Sequence, residues 1–142
     1  MPFVSLTRLR IRSIRFLPFF AFHTLRSTRQ VRHAPGFLTG ALLPDRNFAF
    51  WTLTAWDSQQ SMRNYMLNGS HKTAMTHLLH WCDEASVAHW EQPTATLPSW
   101  LEADQRMRST GRISKVHHPS PNHANLTYAT PRTTGGGPIN PA

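Results

Sequence analysis

Histidine is the residue type whose spacing in this chain most readily suggests metal or proton chemistry. His77 and His80 are three residues apart, so they would share one face of a helix, and two imidazoles placed in this way can bind a transition metal. A second pair, His117 and His118, lies in the distal part of the chain. Neither pair has a carboxylate or a Cys at a fixed ligand spacing. We therefore interpret these residues as a solvated surface and predict no metal site.

A second chemical signal is the run Arg46–Trp51, in which a basic residue precedes alternating aromatic side chains. RNA-recognition motifs carry a similar basic and aromatic signature on their third strand. The charge distribution also suits an anionic partner, because the net charge is +8 and no acidic residue precedes Asp45. Against RNA binding, the first strand carries Leu6-Thr7-Arg8 and lacks the aromatic partner motif. Nucleic-acid binding therefore remains an alternative.

The cellular location is predicted from cysteine content and hydropathy. Cys82 is the one cysteine of the chain, which fits a reducing compartment. The longest apolar run lies near residues 16–22 and is far shorter than the roughly 20 residues that a membrane-spanning helix needs. We expect a cytoplasmic protein without a membrane partner. The Arg-rich, acid-poor beginning of the chain also resembles an organelle transit peptide, and this alternative stays open.

The elements that must position these residues follow one pattern. Alternating residues predict a strand over 3–14, and a helix follows it with an apolar stripe of Phe19, Phe20, Phe22 and Leu25. Two strands over 37–44 and 47–56 form a hairpin, and two short helices lead to a strand over 86–92. Asp57 is predicted to cap the first of these helices. The order is β-α-β-β-α-β, a ferredoxin-like α+β unit.

The aromatic strand over 47–56 carries bulky apolar residues on both sides, Phe48 and Phe50 on one and Trp51 and Leu53 on the other. Helices on one side of a sheet leave its other side uncovered. A second copy of the sheet would cover it, so the sequence predicts a homodimer in the form of a dimeric α+β barrel. We place this domain at residues 1–118, with an additional short helix capped by Ser99. Residues 119–142, rich in Pro and Gly, are predicted to be a disordered tail.

The pattern of motifs resembles the antibiotic-biosynthesis monooxygenase-like superfamily. The matching motifs are Pro35-Gly36-Phe37, Trp56-Asp57-Ser58, Tyr65 and Ser70-His71, and the resemblance spans residues 3–92. It implies a dimeric α+β barrel with a ligand pocket between the sheet and the helices of one protomer. Characterised members include cofactor-independent oxygenases of polyketide quinols, quinol monooxygenases and haem-degrading enzymes.

The resemblance also implies candidate site residues. The haem-degrading members use an Asn, a Trp and a proximal His at positions that match Thr7, Tyr65 and Met75. A threonine has no carboxamide and a methionine is not the axial imidazole, so haem is disfavoured and we expect no cofactor. A cofactor-free oxygenase would use His71 as the base and Tyr65 as a second catalytic residue. The residues that we expect to bind its substrate are Thr7, Trp51, Trp56 and Met75.

The sequence therefore predicts a small monooxygenase-like protein that binds or oxidises an aromatic or hydrophobic small molecule without a metal. A non-catalytic ligand-binding or dimerisation module is the first alternative, and an RNA-binding module is the second. For Trp56 and Tyr65 the competing interpretation is core packing. For His71 it is a solvated residue at the start of a helix.

Overall fold

The computed structural model describes the backbone of residues 1–142 and every side chain except those of Ser70 and His71. The strands are β1 (Phe3–Ile11), β2 (Phe37–Pro44), β3 (Ala49–Trp56), β4 (Cys82–Glu91), β5 (Arg112–Ile113) and β6 (Gly137–Ile139). The helices are α1 (Leu17–Arg32), α2 (Gln59–Met66), α3 (Gly69–Trp81) and α4 (Trp100–Thr110). The predicted β-α-β-β-α-β order and α+β class are confirmed, with the second helical region divided into α2 and α3.

The strands form one antiparallel sheet in the order β5-β4-β1-β3-β2-β6, so β1 and β3 lie at its centre. β1 pairs with β3 in the register Phe3 opposite Trp56, and with β4 in the register Phe3 opposite Glu91. Because side chains alternate across a strand, this register decides which residues of three neighbouring strands project to the same side.

One side of the sheet is covered by α1, α2 and α3 through two apolar clusters. The first joins Phe3 and Trp56 of the sheet to Val31 of α1 and Met62 of α2. The second lies at the other end of β1 and joins Ile11 to Phe20 and Trp81. The middle of β1 lies between these clusters. Of the apolar stripe predicted for α1, Phe20 is buried, whereas Phe19, Phe22 and Leu25 are exposed.

The other side of the sheet is covered by the C-terminal part of the same chain. Leu6, Trp51 and Leu53 are almost fully buried here and cluster with Ala103 and Met107 of α4. Leu126 and Tyr128, which follow α4 and β5, pack against the same cluster. We call α4 together with residues 119–130 the C-terminal cover. This is the side on which the sequence suggested a second copy; the homodimer itself stays a prediction.

A charged network holds the C-terminal cover to the sheet. Arg8 donates to Glu84 at 2.6 Å, and both side chains are buried. Ser120 of the cover donates to the same carboxylate at 2.8 Å. Burial alone would raise the pKa of Glu84, but the hydrogen bonds from Arg8 and Ser120 outweigh it and hold that pKa below its usual value. The Arg8 guanidinium also lies 4.4 Å from the centre of the Tyr128 ring.

Several boundaries differ from those predicted. Ser58, not Asp57, caps α2, and its side chain accepts from Ser61 N at 3.2 Å. β4 begins at Cys82 rather than at residue 86, because Asp83 and Glu84 extend along β1 to pair with its arginines. Residues 119–142 include β6, which pairs with β2 and buries Ile139. The division at residue 118 remains a prediction.

Candidate functional site

Polar side chains cross the middle of the sheet on the side that α1, α2 and α3 cover. Ser5 of β1 lies opposite Thr54 of β3 and His89 of β4, and Thr7 lies opposite Thr52. Residues that lie opposite each other on neighbouring strands project to the same side of the sheet. Along β1, Ser5 and Thr7 alternate with Leu6 and Arg8, which project to the other side. We call Ser5, Thr7, Thr52, Thr54 and His89 the polar row. It occupies the position between two apolar clusters where continuous hydrophobic packing would be expected.

The helices do not cover this row completely. Thr7 and Thr52 remain partly accessible although β1 and β3 are inner strands. A central strand that is packed on both sides normally has inaccessible side chains, because protein interiors are close-packed. This residual accessibility shows that the helices do not seal the polar row, and we call the partly accessible region between the row and the helices the hollow.

Trp56 lies on the same side of the sheet as the polar row, four residues along β3 from Thr52. Its ring centre lies 5.4 Å from that of Tyr65 and 5.4 Å from that of Phe37. The indole is fully buried, and its Nε1–H donates to no partner among the described residues. A buried donor without an acceptor costs about 1–3 kcal/mol of folding free energy. An oxygen atom of a ligand or a water molecule would recover that cost.

Tyr65 connects α2 to α1 over this end of the site. Its hydroxyl donates to Ser27 O at 3.2 Å. Burial raises the pKa of Tyr65, so the phenol stays protonated at neutral pH. It can therefore act as a hydrogen-bonding wall, and it is a poor choice for a general base.

His89 is a titratable group of the polar row that the sequence analysis did not select. Its ring centre lies 5.4 Å from that of Phe3, and its Nε2 is buried without a partner among the described residues. Burial, together with the charges of Arg112 and Arg63, lowers the pKa of His89. The imidazole is therefore neutral near pH 7 and has the capacity to accept a proton.

The structure places three of the predicted site residues on one side of the sheet, and of these Trp56 and Tyr65 are in contact. Thr7, Trp56 and Tyr65 all lie on the helix-covered side of the sheet. Trp51 lies on the opposite side, where its Nε1 donates to Asp45 at 3.0 Å beneath the C-terminal cover. Met75 of α3 is 40% exposed and is not part of either apolar cluster. The prediction for His71 falls outside the described side chains.

The expectation that haem is absent stays a prediction. The resemblance matches Met75 to the axial ligand of the haem-degrading members, and this residue is a thioether with 40% exposure. Among the side chains that the structure describes, no group of three or more His, Cys, Asp or Glu could hold a metal ion. His77 stacks on Trp81 with ring centres 5.1 Å apart, whereas His80 contacts Phe16.

Two other predicted signals have structural explanations. Burial raises the pKa of Cys82 to about 12, so this thiol stays protonated. In the RNA-like run, Phe50 packs against Phe20 with ring centres 4.7 Å apart, and Trp51 lies beneath Tyr128. Phe50 and Trp51 are therefore engaged in packing within the chain, whereas Phe48 is 42% exposed. The RNA-binding alternative is not favoured. No helix within the described part of the chain has the length and apolar character to cross a bilayer.

The α+β fold of this chain is shared with solved structures, some of which are described as antibiotic biosynthesis monooxygenases. SnoaB from Streptomyces nogalater, described as a cofactor-independent oxygenase, superposes with a TM-score of 0.55 at 16% identity, over 68% of this chain and 97% of SnoaB. Rv0793 from Mycobacterium tuberculosis superposes with a TM-score of 0.60 at 9% identity, over 68% of this chain and 100% of Rv0793. A further structure, described as an antibiotic biosynthesis monooxygenase, superposes with a TM-score of 0.58 at 9% identity, over 65% of this chain and 99% of that protein.

The chain belongs to the family described as Domain of unknown function (DUF3291), whose model matches residues 26–129. The match extends through α4 and Tyr128, so the C-terminal cover except Thr130 lies within the family domain. No curated protein matches the chain. At these identities the solved structures establish the shared fold, and the chemistry must be argued from the residues of this chain.

Proposed function

We propose that this protein binds an aromatic or hydrophobic small molecule in the hollow between the sheet and helices α1, α2 and α3. The observation that carries the proposal is the Trp56 indole, buried against Tyr65 with an N–H that has no acceptor among the described residues. The polar row supplies further hydrogen-bonding groups, and the aromatic rings supply a dry wall. Apolar walls with a few convergent polar groups are typical of small-molecule sites.

We further propose that the bound molecule is an electron-rich phenol or quinol that reacts with oxygen without a metal cofactor. A base takes the phenolic proton, and the resulting anion reduces O₂ inside the hollow. In the balanced reaction of an anthrol, written as its anthrone tautomer, a ring CH₂ group becomes C=O. In that of a naphthoquinol, a ring C–H becomes C–OH and the quinol becomes a quinone. In both reactions one oxygen atom enters the product and the other leaves as water. The substrate supplies all four electrons, so no separate reductant is needed. SnoaB, a described cofactor-independent oxygenase with the same fold, supports this reaction class.

Two histidines are candidates for the base. His71 is the residue that the sequence motif predicts, and His89 is the neutral imidazole that the sheet register places in the polar row. Tyr65, which stays protonated, would hydrogen-bond or pack against the substrate ring. A protein that binds the same molecules without oxidising them is the alternative function, and it uses the same hollow.

The predicted homodimer is part of this proposal, and the C-terminal cover restricts how it could form. Two copies cannot place their sheets face to face on this side, because the cover of each chain already occupies it. We therefore expect any dimer to use another surface or to exchange this cover between protomers.

Oxygen uptake tests the catalytic proposal. With anthrones and naphthoquinols as substrates, we expect turnover in the wild-type protein and its loss in His71→Ala, with the unfolding midpoint nearly unchanged. His118→Ala is the matched control, because His118 is exposed and remote in sequence from the site. Retained turnover in His71→Ala with loss in His89→Gln would assign the base to His89 instead. Saturable quenching of tryptophan fluorescence without oxygen uptake would support the binding-only alternative and contradict oxidation.

A further inference from the structure

A groove with a volume of about 670 Å³ lies between the C-terminal half of α1 and helix α2. Tyr65 lines it from within, and the same ring contacts Trp56 in the hollow. We propose that this groove holds an oxyanion, such as a carboxylate, carried by the aromatic ligand. This inference rests on the proposed function, because it places the ring of that ligand beside Tyr65 and Trp56 and its acidic group outside.

Two arginines and a histidine form the α1 wall of the groove. Arg26, Arg29 and His33 follow one another at intervals of three and four residues, so they project from one helix face. Within the described part of the chain, neither Arg26 nor Arg29 makes an ion pair. A guanidinium group presents N–H donors in a planar fork that matches a carboxylate or phosphate. Two such groups on one wall therefore favour an oxyanion.

None of the described residues that line the remaining wall is a carboxylate, and the nearby Asp57 accepts from Ser61 Oγ at 2.6 Å. Asn64, Asn68 and Ser61 of the α2 region line this wall, together with Tyr65. The carbonyl groups at the end of α2 would repel an anion, but Gln30 Nε2 donates to two of them, Asn68 O at 2.8 Å and Tyr65 O at 3.3 Å. The groove is thus lined by positive charge and neutral amides, which distinguishes it from an ordinary solvated surface.

The volume also fits the proposed occupant. Small-molecule sites usually enclose about 300–1,000 Å³, which is enough for a fused aromatic system with an acidic substituent. A phenolic acid bound in this way would direct its charge towards Arg26 and Arg29 and its ring towards Tyr65. The same arrangement would discriminate against neutral analogues of equal size.

Two probes of nearly identical shape test the inference. 2-Naphthoate and 2-naphthamide share one ring system and differ in carrying a carboxylate or a neutral carboxamide. By calorimetric titration of the full chain, we expect 2-naphthoate to bind about tenfold more tightly than 2-naphthamide, as one charge-assisted contact at an accessible site provides. In the double variant Arg26→Gln/Arg29→Gln the two affinities should agree within about twofold. The double variant Arg15→Gln/Arg132→Gln removes the same amount of charge outside the groove. It should still bind 2-naphthoate more tightly than 2-naphthamide.

The outcomes separate this inference from the proposed function. Equal binding of the two probes to the wild-type protein, or an equal loss of preference in both double variants, would overturn the oxyanion site and leave the hollow intact. Binding of neither probe would overturn the proposed function and this inference with it. Unfolding midpoints of both double variants verify that they are folded.

Discussion

Trp51 and Trp56 are five residues apart on β3, and their indole N–H groups have opposite environments. Trp51 donates to Asp45 at 3.0 Å, whereas Trp56 Nε1 has no acceptor among the described residues. Both indoles are fully buried, so the difference lies in hydrogen bonding and not in exposure. Natural proteins rarely leave a buried donor unsatisfied without a functional reason. At the scale of single residues, Trp56 is therefore the strongest indication of a ligand.

His89 provides a prediction at the same scale. Because burial lowers its pKa in the folded protein, the unfolded chain binds the proton more readily. The contribution of neutral His89 to the free energy of unfolding is therefore complete above the unfolded-state pKa of about 6.5, and it is lost as the pH falls below that value. We expect the free energy of unfolding in urea to decrease between pH 7.5 and pH 5.5, and to decrease less in His89→Gln than in the wild-type protein.

His33→Gln is the control for this pH series, since His33 is exposed and remote in sequence from His89. Its free energy of unfolding should decrease with falling pH as that of the wild-type protein does. If the free energy of unfolding decreases with falling pH as steeply in His89→Gln as in the wild-type protein, His89 titrates as it does in the unfolded chain. That result would remove His89 as a buried neutral base.

At the scale of secondary structure, the strongly patterned elements could be predicted and the packing of their faces could not. Period-two alternation on β1 and the capping signal of Ser99 correspond to observed elements. The apolar residues Phe19, Phe22 and Leu25 of α1 are exposed, because the residues that face the sheet are Phe20 and Val31. Hydrophobicity alone could not decide which of several aromatic residues face inwards.

The candidate site shows the same limit. The motif resemblance selects Thr7, Trp56 and Tyr65, which share one side of the sheet. The contribution of His89 depends on its register opposite Ser5, which joins residues far apart in sequence. Trp51 was selected together with Trp56, although an interval of five residues on a strand places them on opposite sides. That interval was a usable signal in the sequence.

The C-terminal cover provides a prediction at this scale. The Tyr128 ring lies between two guanidinium groups, with Arg8 at 4.4 Å and Arg108 at 4.2 Å, and meets the Trp51 ring edge-on at 5.5 Å. We expect Tyr128→Ala to lower the free energy of unfolding by about 1–3 kcal/mol, since two cation–π contacts are lost. It should also promote self-association, because Trp51 and its neighbours become accessible.

Tyr128→Phe keeps the ring and is the matched control, expected within about 1 kcal/mol of the wild-type protein. Urea unfolding and sedimentation velocity measure both effects. A Tyr128→Ala protein of wild-type stability and unchanged sedimentation would show that the cover contributes nothing to closing this side of the sheet.

At the scale of the whole molecule, the two sides of the sheet have different tasks. The side beneath the C-terminal cover is closed by aromatic rings and a buried ion pair, and it serves stability. The side beneath α1, α2 and α3 is interrupted by the polar row, and it is the side on which we propose that a ligand binds. The apolar residues on both sides of the strand over 47–56 indicated that both sides of the sheet need a covering layer, and Trp51 and Leu53 are indeed buried. That pattern could not reveal that residues beyond Ser99 return to cover them.

The indole N–H resonances of the folded protein test the central claim most directly. Titration of ¹⁵N-labelled protein with 2-naphthamide, a neutral probe that does not depend on the basic groove, should shift the Trp56 Nε1–H signal saturably. The Trp51 signal should stay in place, because that N–H is bonded to Asp45 on the opposite side of the sheet. Trp56→Phe and Trp51→Phe assign the two signals. A saturable shift confined to Trp56 is the predicted result, and a Trp56 signal that does not move at saturation of the probe, or a shift of Trp51 in its place, would contradict a ligand site beneath the helices.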